Sequence, residues 1–125
     1  MATKERIILD TSSILFAMSQ KKDIFEAISE EYPGREIVLS TGIFSELRKL
    51  ASTKKKNARD ASAALVLLKH KRFATEDDDS YVDDWILRES GRTGTVVCTN
   101  DTALRGKLRG KGVKTISMSI GGRLR

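Results

Sequence analysis

A chain of 125 residues is expected to fold as one domain over residues 1–125, because domains take roughly 100 to 200 residues, and a chain of that size buries about two-thirds of its surface on folding. With 39% hydrophobic residues, 32% charged residues, one Pro and no low-complexity run, the composition excludes a disordered or fibrous chain. No apolar run approaches the ~18 residues of a membrane span, the N-terminus lacks a secretory layout, and the lone Cys98 excludes an internal disulfide or a cysteine zinc site, so the expected setting is the cytoplasm with no membrane partner. The net charge of +6 is unevenly spread: residues 1–46 carry −3, 47–72 carry +8, 73–101 carry −6 and 102–125 carry +7. Alternating blocks point to acidic groups held in one place and basic groups in another.

In chain order, Arg6 to Leu9 (RIIL) reads as a short buried strand that ends at Asp10-Thr11-Ser12, a helix start signal. Apolar residues at helical spacing follow over Ile14 to Met18 and Ile24 to Ile28, interrupted by the polar Ser19 to Asp23. Pro33-Gly34 marks a turn, Glu36 to Leu39 a second strand, and Ser40-Thr41-Gly42 the entry to a helix that runs to about Ala51. A long helix is expected from about Asn57 to His70, a short third strand at Phe73 to Thr75, and a helix capped by Asp79-Ser80 that reaches Ser90. Thr95 to Cys98 is a strand, Asn100-Asp101 opens a helix to about Gly110, and Val113 to Met118 is the last strand. Short strands separated by helices pair in parallel through right-handed crossovers, so the expected fold is α/β, a three-layer sandwich around a mainly parallel sheet.

Four acids stand out by position. Asp10 and Asp101 each follow a strand and precede a helix, which places them at the carboxyl edge of an open sheet, where such folds bind ligands; an Asp there is also an ordinary helix cap. Glu46, between Ile43 and Leu50, and Asp83, ahead of Ile86 and Leu87, fall on or beside the apolar stripes of their helices. An unpartnered buried carboxylate costs several kcal/mol, so such residues either lean out at the stripe's edge or meet a cation. If the four converge, their mutual repulsion calls for a hard divalent cation, Mg²⁺ or Mn²⁺, as one or two ions. That chemistry suits phosphodiester hydrolysis, and the basic blocks would grip the phosphates of a nucleic acid.

The order IILDTSSIL, then Glu46 after EIVLS, then YVDDWIL, then VVCTNDTALRGKLRGKGVKTISM resembles the PIN-domain nucleases over nearly the whole chain. Within them the resemblance is greatest to small archaeal relatives of the endonuclease that processes small-subunit ribosomal RNA precursors; the strand-TND-x-x-L-R segment is its most specific part. The resemblance implies a Rossmann-like PIN fold, Mg²⁺- or Mn²⁺-dependent endoribonuclease activity, and Asp10, Glu46, Asp83 and Asp101 as the acidic, metal-holding and catalytic cluster. Asp83 matches the third acid better than Asp84, which becomes a supporting residue with Thr11, Ser12 and Asn100. PIN nucleases often carry Asn where this chain has Ser12.

The remaining features divide between chemistry and packing. Asn100 either orients Asp101 or a metal-bound water, or acts as a cap. The acidic run Glu76 to Asp79 is expected to serve a helix N-terminus. Lys54, Lys55, Lys56 and Arg59, with Arg105, Lys107, Arg109 and Lys111, are the candidate RNA-binding residues. Trp85 and Cys98 read as core and His70 as exposed. Two alternatives share the fold: the toxin of a toxin–antitoxin pair, and a non-catalytic RNA-binding module of ribosome assembly. Protein partners compatible with these readings are a second copy in a homodimer, an antitoxin, or a ribosome-assembly factor.

Overall fold

The computed structural model describes residues 5–125; Met1 to Lys4, the start of the N-terminal segment considered above, lie outside the described residues. Five strands form one sheet: β1 (Arg6–Leu9), β2 (Glu36–Ser40), β3 (Ala74–Glu76), β4 (Thr95–Cys98) and β5 (Lys114–Ile116). Every ladder is parallel and the spatial order is β3-β2-β1-β4-β5. All four residues of β1 and of β4 are buried, as expected of central parallel strands covered on both faces.

Six helices connect them: α1 (Thr11–Ser19), α2 (Ile24–Glu31), α3 (Thr41–Ala51), α4 (Ala58–Leu68), α5 (Val82–Glu89) and α6 (Thr102–Gly110). The connections from β1 to β2 and β2 to β3 move along the sheet in one direction, and right-handed crossovers therefore put α1 to α4 on one face, where they pack on one another. The chain then crosses back to β4 and β5, which places α5 and α6 on the opposite face. The three-layer sandwich expected from the sequence is present. No helix among the described residues is long and apolar enough to cross a membrane.

Local chemistry sets the element ends. The Asp23 carboxylate accepts from the amides of Phe25 (2.9 Å) and Glu26 (3.2 Å) and so starts α2. Phe73 sits just ahead of β3 and packs on Phe25 and Phe44, with ring centroids 5.8 and 6.0 Å apart, so it joins the core under the helical layer and the strand begins one residue later than expected. The expected Asp79-Ser80 cap is not formed. The residue at the N-cap of α5 is Tyr81, and Ser80 instead donates its amide and hydroxyl to Asp78.

The run Glu76 to Asp79 does not act as one helix-facing group either. Glu76 belongs to β3 and accepts from the Trp85 indole at 3.0 Å, while Asp78 pairs with Arg88. Arg6, at the start of β1, is 8% exposed. It donates to Thr95 (3.1 Å), to the Glu89 carbonyl (3.2 Å) and carboxylate (3.1 Å), and faces Glu76 at 3.6 Å. A single buried guanidinium thereby ties β1, β3, β4 and the end of α5 together, with its charge compensated on every side.

Candidate active site

The strand order reverses at β1 and β4: neighbours of β1 reach outward through β2 on one side and through β4 on the other. In parallel sheets the crevice at the carboxyl ends of such a pair is the natural ligand site. Asp10 leaves β1 there, and Asp101 leaves β4 two residues after Thr99.

The two aspartates occupy similar positions and are held differently. Asp10 is 4% exposed and makes no side-chain cap to α1. Its Oδ2 accepts instead from the hydroxyls of Ser12 (2.6 Å) and Thr99 (2.7 Å). Asp101 does act as a cap, accepting from the Leu104 amide at 3.1 Å through Oδ1. Glu46, half-buried in the second turn of α3, accepts from the Thr11 hydroxyl at 2.7 Å. Asp83 and Asp84 in the first turn of α5 are both exposed. Of the two arrangements expected for Asp83 the structure shows the leaning-out one: Val82, Trp85 and Ile86 take the buried positions, and Asp83 sits exposed beside them.

Electrostatics couples these groups. Burial raises the Asp10 carboxyl above its ordinary value; the Ser12 and Thr99 hydroxyls oppose the rise, and the charges of Asp83 and Glu46 add to it. Asp83 is also raised, first by loss of water around it and then by the charge of Asp101, with Asp84 contributing and Lys107 offsetting. The charges of Glu46 and Asp83 thus reach Asp10, and that of Asp101 reaches Asp83. Among the described residues no three Asp, Glu, His or Cys side chains stand together tightly enough to form a ready-made metal cage.

The supporting residues are more specific than the sequence indicated. Ser12 is a hub: besides its bond to Asp10, its hydroxyl accepts from the Asn100 amide (3.0 Å) and lies 3.2 Å from that of Thr99. Thr99, fully buried, was not singled out from the sequence; it donates to Asp10 and accepts from the Asp101 amide at 3.0 Å, so one hydroxyl links both aspartates. Its signal was available as a hydroxyl residue at the strand end immediately before Asn100-Asp101. The Asn100 side chain neither orients Asp101 nor caps α6. Its amide donates to the Met118 carbonyl (2.8 Å) and its oxygen accepts from the Met118 amide (3.1 Å), fastening the segment after β5 to the loop after β4.

The basic residues do not form one patch. Lys107 is near enough to Asp83 to lower its pKa, and Arg105 is half-buried on the same helix. Lys111, at the far end of α6, lines a separate cleft with Gly94 and Thr95 at the opposite edge of the sheet. Arg109 is exposed, as are Lys54, Lys55 and Lys56 in the turn between α3 and α4 and Arg59 in the first turn of α4. His70 is exposed, and Cys98 is buried with its thiol pushed up to about 12 by burial.

Residues 7–120 match the family model described as a PIN like domain. The chain belongs to the PIN-like domain family. Among solved structures it is similar to the PIN domain endonuclease Utp24, at 27% identity and a TM-score of 0.78, with 96% of this chain and 90% of that one covered. It is also similar in fold to a domain of a functionally unknown protein from Methanocaldococcus jannaschii DSM 2661, at 14% identity and a TM-score of 0.65, with 92% and 91% covered. No curated protein matches the sequence. PIN membership and the endonuclease neighbour together support a nuclease role.

Proposed function

We propose that this PIN-like domain is a metal-dependent endoribonuclease whose catalytic crevice is formed by Asp10, Glu46, Asp83 and Asp101. The observation that carries the proposal is the arrangement at the switch point: two strand-end aspartates joined through Thr99, with two further carboxylates near enough to be coupled to them.

The donor set fits a hard cation. Every candidate ligand is a carboxylate oxygen, and Mg²⁺ keeps several waters while using only one or two carboxylates, so a preformed cage of three is not required. When bound, Mg²⁺ or Mn²⁺ would neutralise phosphate charge and supply an ionised water as nucleophile. The chain's own residues do the positioning. The hydroxyls of Ser12 and Thr99 fix the rotamer of Asp10 and leave its Oδ1 free of the hydrogen bonds made by Oδ2. Thr11 holds Glu46 in the same way, and Lys107 brings a cation beside Asp83 where a flanking phosphate would lie. RNA is the proposed substrate, a small-subunit ribosomal RNA precursor the class that the sequence resemblance implies, and the cytoplasm the proposed setting.

The test combines cleavage with a metal-binding readout. Wild-type protein is expected to cleave an RNA containing a precursor small-subunit segment with Mg²⁺ or Mn²⁺, and Asp10→Asn and Asp101→Asn to lose at least about a hundredfold in rate, the scale on which a lost charged group at a reacting centre acts. Mn²⁺ is expected to raise the melting temperature of wild type but not of Asp10→Asn. Equal cleavage by all three proteins, or equal Mn²⁺ stabilisation of wild type and Asp10→Asn, would refute the assignment.

A further inference from the structure

Beside the crevice lies a cavity of about 550 Å³ between one side of α3 and the start of α5, lined among others by Gly42, Glu46, Lys49, Asp79, Tyr81 and Asp84. Its size falls within the range of small-molecule pockets, about 300 to 1,000 Å³. It shares Glu46 with the proposed catalytic residues, so whatever enters it lies beside the proposed crevice.

Three observations define the occupant. Tyr81 is 83% exposed, and of the three exposed large hydrophobic side chains among the described residues, Val66, Tyr81 and Ile120, it alone borders this cavity. An aromatic ring left in water at the rim of a crevice is a ready stacking surface for a flat ring. The charge of the lining excludes the alternative that the cavity takes a phosphate. Glu46, Asp79 and Asp84 line it against the single lining cation Lys49, while the bordering Asp78 is already paired with Arg88, so an anion is repelled and an uncharged group that donates hydrogen bonds is favoured. The third observation is the way the wall is held. Any Cβ on Gly42 would lie 3.3 Å from the Ser80 carbonyl and the Val82 side chain, and Thr41 bonds both backbone groups of Asp78, so α3 and the 78–82 segment press together and the cavity is a fixed feature of the fold.

We propose that this cavity is a nucleobase subsite, in which one unpaired base of the RNA next to the scissile bond stacks on Tyr81 and donates from its amino group to the carboxylates of Asp79 or Asp84. The inference rests on the nuclease reading and adds a preference to it. Adenine, cytosine and guanine carry an exocyclic amino donor, whereas uracil presents two carbonyl acceptors around a single N–H. Carboxylates accept hydrogen bonds and donate none, so uracil is disfavoured at this position. Single-stranded RNA is the form that can present a base this way.

The subsite is tested by binding with metal withheld. Decamers of oligo(C) and oligo(U) are titrated against wild type, Tyr81→Ala and Tyr81→Trp in EDTA, by fluorescence anisotropy, and cleavage of the same RNAs is followed separately with Mn²⁺. Wild type is expected to bind oligo(C) more tightly than oligo(U). Tyr81→Ala is expected to weaken oligo(C) binding about tenfold, within the range of one lost stacking contact, and Tyr81→Trp to restore it. Because Tyr81 is exposed, its replacement leaves the core intact. Unchanged oligo(C) binding by Tyr81→Ala, a preference for oligo(U), or no RNA binding by wild type would overturn the subsite. Cleavage by wild type together with Tyr81-independent binding overturns the subsite and leaves the nuclease reading standing. Tyr81-dependent binding without cleavage by wild type, of these RNAs or of the precursor segment, supports a base-binding cavity and refutes the nuclease reading.

Discussion

Replacing Thr99 by Val removes one hydroxyl from the centre of the site while leaving a branched side chain in its place. That hydroxyl donates to Asp10 at 2.7 Å and accepts from the Asp101 amide at 3.0 Å in a fully buried position. A hydrogen bond to a charged group contributes about 1.5 to 3 kcal/mol and a neutral one about 1 kcal/mol, so Thr99→Val is expected to cost about 2.5 to 4 kcal/mol near pH 7. That is a large share of the roughly 5 to 15 kcal/mol that holds a domain together.

The cost is expected to depend on pH, with a definite sign. The Asp10 carboxyl is raised in the folded protein, so its ionisation works against folding: the contribution is most favourable below the unfolded-state value of about 3.9 and declines as pH rises toward the folded value. Thr99 opposes that rise by stabilising the ionised form, and removing it drives the folded value higher. The destabilisation measured by urea unfolding should therefore grow from about pH 4 to pH 7, toward the lower value at acid pH, where only a neutral bond is lost. Thr99→Ser, which keeps the hydroxyl, should show a smaller loss and little pH dependence. Equal losses for Thr99→Val at pH 4 and pH 7, or equal damage from Ser and Val, would refute the reasoning.

Two further predictions concern the scaffold. Arg6→Met leaves Glu76 and Glu89 with the exposed Arg92 as their remaining cation and should destabilise the protein by about 3 kcal/mol, measured by chemical denaturation, since it removes the buried member of the ion-pair network. Glu89 is held below its ordinary value because the hydrogen bonds and charges of Arg6 and Arg92 outweigh the desolvation that would raise it. Its stabilisation is accordingly present above about pH 4.3 and lost as pH falls through the folded value, and Arg6→Met should flatten this acid limb; an unchanged limb would sink the account. Cys98, with its thiol pushed up to about 12 by burial, should resist a disulfide reagent at pH 8 and react only on unfolding, so rapid stoichiometric labelling of the native protein would contradict the assigned burial.

Much of the fold is legible because its signals are local. RIIL and TVVC are continuous apolar runs of strand length, and both strands occupy those residues. The elements that shifted are those whose ends are set by distant partners. Phe73 reads as a strand residue by its neighbours, yet it is claimed by Phe25 and Phe44 from two helices. Asp79-Ser80 reads as a cap, yet Ser80 turns to Asp78, which in turn binds Arg88 a helix away.

The site divides along the same line. By itself the sequence determines that Asp10 and Asp101 end strands and open helices, and that acidic and basic residues alternate in blocks, because strand periodicity and helix-start chemistry act over a few residues. Tertiary structure decides which of these groups meet. Parallel pairing of β1 with β4 brings Thr99 across to Asp10, 89 residues away in the chain. Folding α3 over the helical face brings Glu46 to Thr11, and the same fold sends Asn100 to Met118 and Lys111 to the opposite edge of the sheet. Such contacts depend on strand order and crossover hand, which arise from packing the whole chain at once, and no window of neighbouring residues contains them.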